Sequence, residues 1–195
     1  MRLFVLLFML VLPCQIAAQG LPGHTSTFVN DFADLLDPET EARLTALLQQ
    51  VKQDRGVEMT VVTINSRNDY GQYDAIEPFA TALFNAWGVG NPKRNDGIMV
   101  LVARDDRDMR IELGAGYPPV FDDRVKTVID SFFIPWFQQG DFASGIEAGV
   151  KETIKRTRLD FTDSGYTTAS RVRLEGENIL RSATSGGLFA WIFGA

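Results

Sequence analysis

Residues 98–113 constrain this chain more than any other stretch. Ile98 to Ala103 is an unbroken apolar run, I-M-V-L-V-A, while Met109 to Leu113 alternates apolar with charged residues, M-R-I-E-L. A short apolar run bounded by polar residues suits a strand covered on both faces, and strict alternation suits a strand with one face open. Arg104 to Asp108 is the polar turn between them, so the two make a hairpin that Gly114, Gly116, Pro118 and Pro119 terminate. If the strands are antiparallel, the start of the first lies beside the end of the second. One rim of the sheet then gathers Asn95 and Asp96 with the loop from Gly114 through Asp122 and Asp123.

The segments around the hairpin read as helices interleaved with strands. Gly20 to Thr27 looks like a flexible lead-in, and Phe28 and Val29 open a brief extended segment carrying Asp31 and Asp34. A helix follows: Asp37 is placed as its N-cap, Pro38 as its first residue, and Leu44, Leu47, Leu48 and Val51 recur at helical spacing up to Gly56. Val57 to Ile64 is β-branched and reads as a central strand. A second helix is expected from Asp74, with Glu77 completing a capping box and Ile76, Phe79, Ala80, Leu83 and Trp87 forming its buried stripe. A third begins at Asp122 or Asp123, shows Val125, Val128, Ile129 and Phe132 on one face, and is broken by Pro135. A fourth runs from Asp141 to about Thr157. Such interleaving implies an α/β layered domain over residues 28–157.

The two ends are of another kind. Met1 and Arg2, the apolar run Leu3–Leu12 and the small residues Ala17 and Ala18 have the form of a secretory signal peptide, residues 1–18. Cys14 would also suit a lipoprotein signal, but Pro13 before it does not. Cleavage after Ala18 would remove the single cysteine, leaving neither a disulfide nor a thiol nucleophile. It would also remove Arg2, taking the formal net charge from −6 to −7. An acidic exported domain without a basic run argues against nucleic acid and suits cations. Residues 158–195 read as a polar tail, with at most a weak helix near 172–180, closing on L-F-A-W-I-F-G-A. That closing segment is too short to span a bilayer, which takes about 20 residues. It reads either as a membrane-surface or docking segment, or as the first part of a longer element. The localisation expected is secreted or periplasmic, in association with a membrane.

Several blocks, in this order, carry a family resemblance: V-N-D-F-A-D-L-L-D, A-W-G-V-G-N-P-K-R-N-D-G-I-M-V-L-V-A, R-I-E-L-G-A-G-Y, F-D-D and I-P-W-F-Q-Q-G-D-F-A-S-G-I. The chain resembles the TPM domain family, named for a thylakoid lumen protein, a photosystem II repair protein and a nematode receptor modulator. The resemblance implies an α/β fold, a three-layer α/β/α Rossmann-like sandwich around a small mixed sheet. It further implies an exported accessory or binding module serving membrane-protein assembly or repair, with a membrane protein as partner. Calcium binding is implied for some members, and weak acid phosphatase activity on phosphomonoesters for others.

The residues themselves leave two readings of the acidic positions open. Asp31, Asp34, Asn95, Asp96, Asp122 and Asp123 all fall at the ends of expected elements. A divalent cation, calcium first, takes six to eight oxygens, and these residues would be its ligands. They serve equally as caps and turn formers. No EF-hand loop is present, so a site would draw on distant segments. Catalysis has fewer materials. His24 is the only histidine and lies in the lead-in, away from any triad. What is left is metal-assisted hydrolysis, with Lys93, Arg94 or Arg124 offsetting phosphate charge. L-G-A-G-Y-P-P follows a strand but lacks the third glycine and helix start of a dinucleotide site, so no nucleotide is expected. Trp87, Trp136 and Phe137 either join the core or form an exposed aromatic anchor for a partner.

Overall fold

The computed structural model describes residues 20–158 and, beyond them, the backbone of two paired two-residue strands, Phe161–Thr162 and Gly165–Tyr166. The signal peptide, the weak helix near 172–180 and the closing apolar segment expected from the sequence lie outside the described residues. Four strands form one sheet in the order β1 (Val29–Asp31), β2 (Met59–Ile64), β3 (Ile98–Ala103), β4 (Asp108–Leu113). The first three are parallel and β4 is antiparallel to β3, with Ile98 opposite Leu113 and Ala103 opposite Asp108. The expected hairpin is therefore present, and Arg107 takes a left-handed conformation in its turn.

Helix α1 (Pro38–Arg55) starts as its residues dictate. The Asp37 carboxylate accepts from the Thr40 N–H at 2.8 Å, and Gly56 ends the helix in the left-handed region. Helix α2 (Ile76–Trp87) does not use the expected cap: Ala75 occupies the N-cap position, without a side-chain hydrogen bond, and Asp74 lies outside the helix. The capping box forms instead at Ser66 and Asp69, around a 3-10 turn at Arg67–Tyr70. The lead-in is tied down. Asn30 accepts from the Thr25 and Ser26 amides, and the Trp87 indole donates to the Pro22 carbonyl at 2.7 Å.

Helix α3 (Val120–Val128) starts two residues before Asp122, which therefore sits in its first turn. Pro135 does not break the chain's helical course. Ile129–Phe133 forms a π-turn that leads directly into a short helix α4 (Ile134–Phe137), and Pro135 is accommodated just after that turn. Helix α5 (Phe142–Arg156) is capped by Asp141. Phe133 and Phe137, four residues apart and so on one face of the helix, both pack on α5. They do so because α5 carries glycine opposite each ring: a Cβ on Gly149 would meet the Phe133 ring at 2.1 Å, and one on Gly145 the Phe137 ring at 2.7 Å.

The sheet separates two cores. One joins α1, α3 and α5 to Val29, Met59, Val61, Val100 and Ile111; the other joins Phe79, Ala80 and Leu83 of α2 to Val62, Ile64, Met99 and Leu101. Helices thus cover both faces of a small mixed sheet, an α/β fold. The strands step in one direction from β1 to β3, yet α1 and α2 cross on opposite faces. The two crossovers therefore have opposite hands, and one departs from the right-handed rule.

Replacing Gly149 by Ala would gain about 1 kcal/mol of helix propensity and drive a methyl group into the buried Phe133 ring. Overpacking of a filled core costs about 1–3 kcal/mol. The expected result is a net loss of stability in urea denaturation, reduced when Phe133→Leu is added to make room.

Candidate functional site

At the rim where β3 begins and β4 ends, main chain meets main chain. The Gly114 N–H donates to the Gly97 carbonyl at 2.9 Å, the Gly116 N–H to the Asn95 carbonyl at 2.8 Å, and the Tyr117 hydroxyl to the Asp96 carbonyl at 3.2 Å. This approach depends on glycine, since a Cβ on Gly114 would stand 2.2 Å from the Asn95 oxygen and one on Gly116 2.0 Å from the Arg94 oxygen. Asp96 is fully buried beneath it. One carboxylate oxygen accepts from the Asn91 N–H at 3.0 Å, and the other takes the Arg94 guanidinium at 2.6 Å. Arg94 also donates to the Gly56 carbonyl at 2.8 Å, so the pair fastens the 91–96 loop to the end of α1.

The acidic residues expected to converge do not. Asp31 pairs with Thr63 across β1 and β2, and Thr63 with Val102, which puts Asp31 at the end of the parallel strands opposite to the rim where Asp96 precedes β3. The physical reason is direction: β1 runs parallel to β3, so the end of one cannot lie beside the start of the other. The Asp31 carboxylate accepts from the Leu35 and Leu36 amides and the Thr63 hydroxyl, and so shapes the turn that follows β1. Asp34 is exposed in that turn beside Arg104, whose guanidinium donates to the Ala33 carbonyl. Asn95 and Asp123 are exposed on the first rim's side. Among the described residues no three His, Cys, Asp or Glu side chains are grouped to hold a metal ion. Calcium takes six to eight oxygens, and the residues do not fit it as one site.

Asp122 does something else. It stands on the lip of a cleft of about 110 Å³ that follows the outer edge of β4 between α2 and α3, with Met109, Arg110 and Ile111 as its floor and Glu77 on its far side. Partial burial pushes the Asp122 carboxyl above its usual range; Arg110 opposes the shift, and Glu112 and Asp123 add to it. Arg110 is paired with Glu112 at 3.0 Å and Lys126 with Asp130 at 2.9 Å. The side chains of Glu77 and Asp122 make no ion pair or hydrogen bond among the described residues, although Arg110 acts on Asp122 through its charge. Beyond the hairpin turn, Arg67 holds Asp106 at 3.1 Å and lies 3.6 Å from Asp108, whose carboxyl burial also raises.

With this geometry in hand, a family model described as the TPM domain matches residues 29–156, most of the chain. The chain belongs to the TPM domain family. The N-terminal domain of a protein from P. gingivalis is 32% identical, with a TM-score of 0.59, over 67% of this chain and 81% of that one. Two further solved structures share the fold: the N-terminal domain of the cg2496 protein of Corynebacterium glutamicum, at 16% identity and TM-score 0.50, covering 75% and 90% of the two chains, and the BA42 protein of Bizionia argentinensis, at 20% and 0.53, covering 64% and 83%. No curated protein matches.

In this TPM domain two of the three cations considered for phosphate binding, Arg94 and Arg124, are already engaged, and Lys93 is exposed. Arg94 serves Asp96, and the Arg124 guanidinium lies 4.3 Å from the centre of the Phe121 ring. Of the aromatic trio, Phe137 is buried and Trp87 packs on the second core, whereas Trp136 is 40% exposed. The β4 cleft escaped sequence reasoning, although one signal for it was visible: the charged positions Arg110 and Glu112 on the last strand of the hairpin.

Two substitutions separate structural from available carboxylates. Asp96→Ala leaves a guanidinium and an amide without their acceptor at a buried position, and should cost about 3 kcal/mol in chemical denaturation. Asp122→Asn removes a charge that folding disfavours. Because the folded carboxyl titrates above the unfolded one, the penalty is present at neutral pH and vanishes as pH falls through the carboxylate range. Thermal melting should show the variant more stable than wild type at neutral pH, by on the order of a degree, with the difference closing in acid.

Proposed function

We propose that this TPM domain is an exported accessory module that recognises a protein partner at a membrane, and that it does so without turnover. The observation that carries this reading is the outer edge of β4, which pairs with no other described strand and borders the cleft between α2 and α3. A sheet edge is a ready template for another chain, because its main-chain donors and acceptors are already aligned. The sequence supports export through the signal-like residues 1–18 and membrane contact through the closing apolar segment. Calcium has no part in the reading, since Asp31 and Asp96 already spend their oxygens on protein donors. Metal-assisted phosphatase chemistry ranks behind it, because it would need those same carboxylates together with Arg94.

Leu113→Pro is a suitable probe. It removes an N–H that points away from β3 and leaves the ladder bonds in place, as edge strands allow. Wild-type protein should capture a membrane protein from a solubilised membrane extract, and a Leu113→Pro variant that retains its circular dichroism spectrum should lose it. In parallel, p-nitrophenyl phosphate should not be hydrolysed from acidic to neutral pH, with or without millimolar calcium or magnesium. Turnover that survives repurification and is abolished by Asp122→Asn would replace the module with an enzyme.

A further inference from the structure

The lead-in and the exit from α5 meet at one end of the domain, where α1, α2 and α5 all stop. Arg55, in the last turn of α1, donates to the Ile154 carbonyl of α5 at 2.9 Å, and Arg94 donates to the Gly56 carbonyl just past α1. Gly90, just past α2, lies against Gly97, which precedes β3. The indole of Trp87, the last residue of α2, fastens the lead-in at Pro22, and Arg158 stands beside Met59 and Ile98, where β2 and β3 start.

Charge divides along the same axis. This end exposes Lys52, Arg55, Lys93, Lys155, Arg156 and Arg158. Three carboxylates there are already held: Glu58 by Lys52, buried Asp96 by Arg94, and Glu152 by Lys155 and Arg156 together. A fourth, Asp54, accepts from Gln50. Arg55, Lys93 and Arg158 make no ion pair among the described residues. Toward β4 the rim turns acidic at Asp122 and Asp123 in the first turn of α3, so the cationic patch is confined to the side of α1 and α5. The opposite end exposes Asp34, Asp69 and Asp105 in the loops after β1, β2 and β3, with Arg104 and Arg107 among them. The net charge of −6 hides this asymmetry. A six-residue strand such as β2 spans about 20 Å, more than twice the roughly 8 Å over which physiological salt screens charge. A charged surface at the cationic end therefore does not feel the acidic one.

We propose that this end of the domain faces an anionic lipid bilayer, with Arg55, Lys93 and Arg158 set against the headgroups. This rests on the membrane association in the reading above, and adds the orientation and the lipid chemistry. The apolar run Leu3–Leu12 lies upstream of the lead-in and the closing L-F-A-W-I-F-G-A downstream of Arg158, so both chain ends leave on the bilayer side. A fluid plane of headgroups suits three cations drawn from separate segments, because lipids diffuse to each of them. Nucleic acid would call for a basic run, which the sequence lacks.

The test is flotation of the full chain with vesicles of phosphatidylcholine, alone or mixed with phosphatidylglycerol. Affinity for the mixed vesicles should be greater by at least about tenfold, and the excess should vanish in the Arg55→Gln, Lys93→Gln, Arg158→Gln variant. The Arg55→Lys, Lys93→Arg, Arg158→Lys variant keeps the charges and should keep the excess, which separates charge from folding. On mixed vesicles amide hydrogen exchange should slow at Lys93 to Asn95 and not in the 104–108 turn. The proposal is overturned if the two vesicle types bind equally, if the glutamine variant keeps the excess, or if protection falls on the 104–108 turn. Retention on heparin without flotation would assign the patch to a soluble polyanion and also overturn it. Absence of binding to vesicles and heparin alike would refute the membrane reading along with the proposal, whereas equal binding to both vesicle types refutes the orientation alone.

Discussion

The contact on which the rest of the structure depends is the approach of two loops at one end of the sheet. Gly114 and Gly116 lie against the carbonyls of Arg94 and Asn95 at distances that no side chain permits. That approach closes the β3–β4 hairpin, and the buried Asp96–Arg94 pair ties the loop beneath it to the end of α1. Chain direction follows from it. With the strand ended at Gly114, Tyr117 tucked onto Asp96 and Pro118 opening the turn, α3 must set out from this rim and run back along the face of the sheet. Its position relative to the β4 edge leaves the cleft open.

Acidic residues in this domain serve mainly as structural acceptors. Asp31, Asp37, Asp96, Asp106 and Asp141 each receive backbone amides, and Asp96 and Asp106 also hold a guanidinium. A carboxylate committed in this way is poorly placed to bind a cation, since coordination would first strip it of donors that the fold then leaves buried. Net negative charge therefore says little about metal affinity here.

A second constraint is the packing of the α3–α4 segment on α5. Gly145 and Gly149 admit the Phe137 and Phe133 rings, which lie four residues apart and so share a face. The π-turn at Ile129–Phe133 shifts the phase of the helix before Pro135, and the helical course continues through the proline. Helical spacing alone cannot report such a change of phase, and Pro135 read without it looks like a stop.

Much of the fold was legible in the sequence because it is written in local terms. The apolar run Ile98–Ala103, the alternation that follows it, the cap at Asp37 and the cap at Asp141 each depend on residues a few positions apart, and the structure has them where they were expected. Where a cap depended on packing, as at Asp74, the local pattern misled. The candidate site was a different matter. The hairpin did bring Asn95 and Asp96 to Gly114 and Gly116, but whether Asp31 and Asp34 joined them hung on the direction of β1, a non-local pairing that leaves no mark in the residues of β1 itself. The sequence by itself determined which segments would be strands and helices and, at Asp37, Gly56 and Asp141, which residues would end them. Only the tertiary structure decided which rim each acidic residue occupies, which carboxylates are already satisfied and which strand lies at the edge of the sheet, because those depend on pairings between segments far apart in the chain.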